Sequence, residues 1–367
     1  MSKHMLSKRS VRPFAAAGSA RPFAVEALEV RTMMSVGPAS LPNATSNDTV
    51  FDAGNDKLHA IYYDTATKAL KYQAFDTDGT ASAAVTIDNS GDTGQYLSLA
   101  QDSAGVLHAA YYDVLNGDLK YARRDLTGVW STSTIDSKNT VGLYPSIVID
   151  ADGLPAITYY FKNTGDLKFA KFNGSAWSTS LIATNDDIGR YPSLALNPTT
   201  NKLAVGFEDT TLGHFMYAEQ NGGVWNMTTV DSATKIGGGY ISLNFNTGLP
   251  AMSYYDAFNA DLKYAERSSK GKWNAVTVAS KNSQGLYTDL AFTFDTNQPA
   301  IVYYNKTQDS VFLAFRETSG VWNFDTLTTG GGRNVTPADG SAPAGVAPAL
   351  YLVYSDTATG GLKVGQF

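Results

Sequence analysis

One short phrase recurs seven times along the 367-residue chain: Tyr62-Tyr63-Asp64, Tyr111-Tyr112-Asp113, Tyr159-Tyr160-Phe161, Phe207-Glu208-Asp209, Tyr254-Tyr255-Asp256, Tyr303-Tyr304-Asn305 and Tyr354-Ser355-Asp356. Its third position steps by 49, 48, 48, 47, 49 and 51 residues. All five tryptophans share a second register, Trp130, Trp177, Trp225, Trp273 and Trp322, at steps of 47, 48, 48 and 49. A fixed period of this length marks an array of supersecondary units that bury their apolar faces only against one another.

Within the second copy the pattern predicts four short strands: A at 96–101, B at 106–112, C at 118–124 and D at 129–135. The breaks between them carry Asp, Asn and Gly, which suit hairpin turns. No stretch has sustained helical spacing. Strand B of the third copy, Leu154-Pro155-Ala156-Ile157-Thr158-Tyr159-Tyr160, is apolar or aromatic on both faces, as in a strand covered on both sides. Four antiparallel strands per period fit a propeller blade, and leucine-rich or β-helical repeats are much shorter. The expected fold is therefore all-β: a seven-bladed β-propeller of four-stranded antiparallel blades, occupying residues 48–367.

The unit Tyr-Pro-Ser, then Asp-x-x-Gly-x-Pro-Ala-Ile-x-Tyr-Tyr, then Asp-Leu-Lys-Tyr-Ala and Gly-x-Trp resembles the bacterial secreted propeller repeats of the sialidase-like and lectin-like (fucose-lectin and Photorhabdus-lectin type) group. The likeness spans 48–367 and implies fold more than function, because one fold hosts many activities. The N-terminal run Leu28-Glu29-Val30-Arg31-Thr32-Met33-Met34-Ser35 resembles the LEPR-type sorting segment of planctomycete surface proteins, with Val30 in place of the usual Pro and Met33-Met34 in place of Leu. That likeness implies a secreted or cell-surface location. Residues 1–28 read as a basic leader, disordered or targeting, and 29–47 as the sorting-like segment, a closing strand and a linker. Copy seven stops at strand C, so Val30–Val36, with alternating Val30, Thr32, Met34 and Val36, is expected to complete the last blade.

Composition narrows the partners. Hydrophobic residues make up 43% and charged residues 17%, which excludes a disordered chain or a coiled coil. No stretch reaches the roughly 18 apolar residues of a membrane-spanning helix. Cysteine is absent, removing disulfides and thiolate chemistry together. Residues 1–35 carry a net +4 and the remainder −10. An acidic body is a poor binder of phosphate backbones, so nucleic acid is not an expected partner, and a monomer is expected.

In a propeller the D-to-A and B-to-C connections share one face. That face should receive Tyr96, Tyr144, Tyr191, Tyr240 and Tyr287 at the start of strand A, with Arg190 and Arg333 beside them. It should also receive the acids Asp64, Asp113, Asp209, Asp256 and Asp356, and Asp118, Asp166 and Asp261. Tyrosine rings stack on the apolar face of a pyranose, and carboxylates accept its hydroxyl hydrogens. The plain alternative is structural, with Asp capping turns and Tyr packing between blades. Unique function is expected where the repeat breaks. The fourth copy breaks most, with Glu208 in a Tyr position and His214-Phe215-Met216 replacing Asp-Leu-Lys. Glu208 and His214 are expected near Arg190 on this face. His59 and His108 share one strand B position and read as packed neutral histidines or as acid/base candidates.

Sialidase chemistry is disfavoured, because Arg123, Arg124, Arg190, Arg267, Arg316 and Arg333 are the only arginines of the body and four of them lie away from the axial mouth. A lyase could use His and Tyr as acid and base, and a glycosidase two carboxylates. Neither is selected by spacing. No cofactor is expected, with incidental calcium at Asp76-Thr77-Asp78-Gly79 or Asp150-Ala151-Asp152-Gly153 left open. The expectation is a non-catalytic carbohydrate-binding or protein-interaction propeller that takes a glycan, a surface polymer or another surface protein. A polysaccharide-active enzyme using the axial funnel is the alternative. The candidate ligand residues are Tyr96, Tyr144, Arg190, Tyr191, Glu208, His214, Tyr240, Tyr287 and Arg333.

Overall fold

Within each period every short apolar run becomes a strand and every Asp/Gly break a turn. In the computed structural model the second copy folds as Thr93–Gln101, Leu107–Asp113, Asp118–Arg124 and Trp130–Asp136, hydrogen-bonded in that order as an antiparallel meander. The structure describes residues 44–76, 80–184, 186–232, 237–280, 283–293, 296–329, 333–340, 349–356 and 361–366, with side chains from 46 to 329. Six copies give such a four-stranded sheet. The seventh, Arg333–Gly340, Ala349–Asp356 and Gly361–Gln366, gives three strands. Six four-stranded blades are therefore present rather than the seven expected, because no described residue pairs with the outer side of Gly361–Gln366. The expected closing strand Val30–Val36 and the leader lie outside the described residues.

The strand A of each sheet packs beside that of the next, and Arg333–Gly340 packs beside both Gln284–Phe292 and Ala44–Asp52, so the inner strands form a ring. Strand B lies between neighbouring sheets and is buried along its length in Leu107–Asp113, Pro155–Phe161 and Leu203–Asp209. The first aromatic of the repeated phrase is the buried centre of this packing: Tyr111, Tyr159, Phe207 and Tyr254 are all fully buried.

Three interfaces between consecutive blades share one polar triad. The strand D acid of one blade accepts the hydroxyl of the next blade's buried tyrosine and the ammonium of its strand C lysine: Asp88 with Tyr111 and Lys120, Asp136 with Tyr159 and Lys168, Asp231 with Tyr254 and Lys263. Between blades 3 and 4 all three members are replaced at once, by Ala183, Phe207 and Met216, which pack in one apolar cluster. A buried charge is tolerated when paired and costly alone, so its partners change together.

The tryptophans open strand D at the blade edge, as expected. Each packs on the strand C aromatic of the preceding blade: Trp130 on Tyr72, Trp177 on Tyr121, Trp225 on Phe169, Trp273 on Tyr217 and Trp322 on Tyr264, at centroid separations of 5.0–5.5 Å.

Candidate functional site: a tyrosine ring at the axial mouth

At the start of strand A in blades 2 to 6 stands a glycine followed, one or two residues later, by tyrosine. The glycine is required by close approach. A Cβ on Gly142 would lie 2.6 Å from the Cα of Leu119 in the preceding blade, and one on Gly189 2.4 Å from the Cβ of Leu167. Their φ values of 96° and 120° are open to glycine alone at low cost. The strand bulges here, with register shifts between Thr93 and Gln95 and again before Leu97. The bulge places each tyrosine in the left-handed region: Tyr96, Tyr144, Tyr191, Tyr240 and Tyr287 all have φ between 48° and 51°. A non-glycine residue there costs about 1–2 kcal/mol.

The five rings converge. Tyr96 meets Tyr144 and Tyr144 meets Tyr191, both at 4.4 Å between centroids, and Tyr240 meets Tyr287 at 4.5 Å. The hydroxyl of Tyr144 faces those of Tyr191 and Tyr96, and that of Tyr240 faces that of Tyr287. Burial, then the neighbouring phenols, push Tyr144 and Tyr240 well above the usual tyrosine range. Between Tyr191 and Tyr240 the separation opens to 6.1 Å. The ring is thus two arcs with a gap between blades 4 and 5. Tyr96 keeps 39% of its surface exposed and the others remain half-buried, so the arcs present aromatic surface to solvent.

Beneath the arcs lies an axial cavity of about 300 Å³, lined by strand A side chains including Ser98, Ser146, Ser193, Ser242, Asp48 and Asp289. Each serine hydroxyl accepts a backbone N–H of the next blade, as in Leu194 to Ser146 at 3.0 Å and Leu243 to Ser193 at 2.9 Å. Asp48 takes the serine place in blade 1 and accepts the N–H of Leu99 at 2.7 Å. Facing only the cavity, it is desolvated, and its carboxyl is pushed up to about 6. This belt, absent from the expected site, was present in the sequence as Ser two residues after four of the ring tyrosines and Asp289 after the fifth.

The B-to-C acids are turn caps. Asp64 accepts the N–H groups of Ala66 and Thr67, Asp113 those of Leu115 and Asn116, and Asp256 those of Phe258 and Asn259. Asp150 caps its own turn and pairs with Lys171 at 2.7 Å, which fills the place a cation would take. Among the described residues no three His, Cys, Asp or Glu side chains cluster to hold a metal. His59 and His108 are buried; each shares Nδ1 with a tyrosine hydroxyl, Tyr72 and Tyr121, and sets Nε2 against Asp52 or Asp102. Burial lowers both, which keeps them neutral packed side chains.

Blade 4 departs from the expectation. Glu208 lies opposite Arg190 in the A–B register, but it is 3% exposed and does not reach the surface. In blades 1 and 3 the tyrosine at this position donates its hydroxyl to the next D-to-A loop, to Asp92 and Asp187, and in blade 5 Tyr255 shares a hydrogen bond with Ser283 there. In blade 4 the polarity is inverted. The carboxylate is on strand B, and the Gly238 and Gly239 N–H groups of the next loop face it. A side chain on Gly237 would fall 2.3 Å from Glu208 Oε1, so the loop backbone lies directly against the carboxylate. Burial pushes the Glu208 carboxyl up despite those donors and the charge of Arg190, and its Oε2 has no hydrogen-bond partner. Arg190 is held bidentately by Asp187, at 2.6 and 3.2 Å, and lies over the ring of Tyr160. Asp187 is the hub of this group, and reasoning from the sequence missed it. His214 stands half-buried across from Asp209 in the strand register, with no hydrogen bond to Glu208 or Arg190. Arg333 begins the seventh sheet, and its side chain lies outside those described.

No protein-family model and no curated protein matches the chain. Solved structures do. AofleA from Arthrobotrys oligospora aligns with a TM-score of 0.53 at 13% identity, over 80% of this chain and 88% of its own. SapL1 lectin in complex with alpha methyl fucoside aligns at 0.53 and 11% identity, over 80% and 97%. The polysaccharide lyase Uly1 aligns at 0.54 and 12% identity, over 90% of each chain. These likenesses establish the fold: the chain is an all-β propeller built from four-stranded antiparallel blades.

Proposed function

We propose that this chain is a saccharide-binding propeller whose binding face is the tyrosine-ringed axial mouth. The observation that carries the reading is the pair of tyrosine arcs. Five repeats spend left-handed backbone strain to aim one aromatic each at the same opening, and strain kept at a shared position is a functional signal. Partly exposed phenols offer both a stacking surface and hydroxyls to a pyranose. Likeness in fold to the SapL1 lectin supports a glycan partner, and the LEPR-like run supports a secreted or surface setting.

Binding without turnover is the form proposed. His59 and His108 are buried at the other end of strand B, and Arg190 is paired with Asp187. A printed array of neutral, amino and uronic saccharides tests the reading, read beside an assay for new reducing ends and unsaturated uronate. Binding with no product is the expected result. Product formation would install the enzyme reading, and an array with no bound spot would remove the saccharide reading altogether.

A further inference from the structure

The gap between the two arcs coincides with the one place where a buried acid replaces the repeated tyrosine. Gly237, Gly238 and Gly239 run across it as a strap. A Cβ on Gly239 would lie 2.5 Å from Cδ2 of Tyr191, so the strap backbone rests on that ring, and the N–H groups of Gly238 and Gly239 face the Glu208 carboxylate. Three consecutive glycines are the least constrained backbone available to a loop. Strand A of blade 5 begins only at Ser242, whereas in blades 2, 3, 4 and 6 it begins at Thr93, Val141, Ile188 and Gln284, ahead of the ring tyrosine. The strap keeps two backbone bonds, Tyr255 N–H to Gly239 at 3.2 Å and Ala257 N–H to Gly237 at 3.0 Å. Under it one carboxylate oxygen, Glu208 Oε2, is buried without a partner. An unsatisfied buried acceptor is costly, and a donor brought to it by a ligand would relieve that cost.

We propose that the strap covers a saccharide subsite formed by the ring of Tyr191 and the carboxylate of Glu208, and that it lifts when a neutral sugar binds. The proposal rests on the saccharide-binding reading above and specifies one subsite of it. With the strap displaced, the two N–H groups leaving the carboxylate are replaced by two sugar hydroxyls, one of which satisfies Oε2. The C–H face of the same ring stacks on Tyr191. The charge selects the ligand. Two carboxyl groups, Glu208 and Asp187, stand against the single guanidinium of Arg190, so uronates and sulfated sugars are disfavoured and vicinal hydroxyls are accepted.

The chain has no cysteine, so one engineered disulfide can lock the strap reversibly. A Cβ on Gly238 would sit 2.7 Å from Cβ of Ala257. It would also sit 2.8 Å from Ala257 N and Tyr255 O, so the strap must shift outward by about 1 Å to reach the usual disulfide spacing, a movement its glycines allow. The full-length double variant Gly238→Cys/Ala257→Cys is applied, oxidised and then reduced, to the array of neutral, amino and uronic saccharides, with wild type alongside. The proposal expects neutral-sugar binding to fall by at least about tenfold on oxidation and to return on reduction, the scale of one lost stacking and hydrogen-bonding contact. Equal binding in both states overturns the strap and leaves the saccharide reading standing. No binding by wild type fails that reading itself. Should the double variant bind nothing in either state while wild type binds, Glu208→Gln decides: loss of neutral-sugar binding with an unchanged melting temperature supports the subsite, and unchanged binding overturns it.

Discussion

A tyrosine held at φ near 50° gives up backbone energy for its direction, and five of them do so here. Tyr96 is the most exposed of the set. Tyr96→Gly should lower the melting temperature only slightly, since relief of the backbone strain offsets part of the packing lost with Tyr144, while saccharide binding weakens about tenfold. Thermal melts and titration calorimetry on the same sample check both halves. Asp48 allows a second residue-level expectation. Its folded value of about 6 lies above its ordinary 3.8, so the fold favours the protonated form. The stability this contributes is present below pH 4 and is lost as the pH rises through about 6. Asp48→Asn should gain stability over wild type above pH 6, by up to about 3 kcal/mol, and the gain should vanish below pH 4. Denaturant melts at pH 3.5 and pH 8 measure it. The positions of the ring tyrosines were legible in the sequence as a periodic column. The bulge was not, because a Gly two residues ahead of a Tyr states neither φ nor which backbone it must clear. Glu208 was legible as an exception, but its burial was not, since the inverted donor and acceptor roles arise only when the next blade's loop folds down on it.

At the interfaces between blades the acid and the lysine of the triad come and go together: where Ala183 or Ala279 replaces the acid, Met216 or Phe312 replaces the lysine. Lys168 and Asp136 are both largely buried. Lys168→Met alone should cost about 3–5 kcal/mol, because it strands a buried carboxylate. The triple variant Asp136→Ala/Tyr159→Phe/Lys168→Met copies the neighbouring interface of Ala183, Phe207 and Met216 and should come within about 1 kcal/mol of wild type. Denaturant unfolding of the single and triple variants tests this, and additive losses would refute the rule. The tryptophans belong to the same scale. Trp177→Ala removes the contact with Tyr121 and should cost about 3 kcal/mol without altering saccharide binding, which a paired melt and titration would show. The strand pattern of the second copy was readable to within three residues at either end. The triads were not, because their members sit 23 and 32 residues apart and meet only across an interface.

At the scale of the whole molecule, the period of the repeated phrase specified radial packing, and the inner strands do form a ring. The count of copies did not specify the count of complete blades. The seventh copy has the phrase Tyr354-Ser355-Asp356 but no tryptophan, and strand D is the strand that a tryptophan opens in five of the six complete blades or lies one residue inside. The ring has two unlike ends: one of A-to-B and C-to-D turns capped by their own acids, the other of strained tyrosines above an axial cavity. The central claim is that only the second end binds saccharide. Hydrogen–deuterium exchange of the full chain, with and without a neutral saccharide bound on the array, measures this directly. The account predicts slowed exchange at 94–97, 142–145, 189–192 and 285–288, with none at the opposite turns 102–106 and 150–154. Protection at those opposite turns, with the tyrosine segments unchanged, would contradict it.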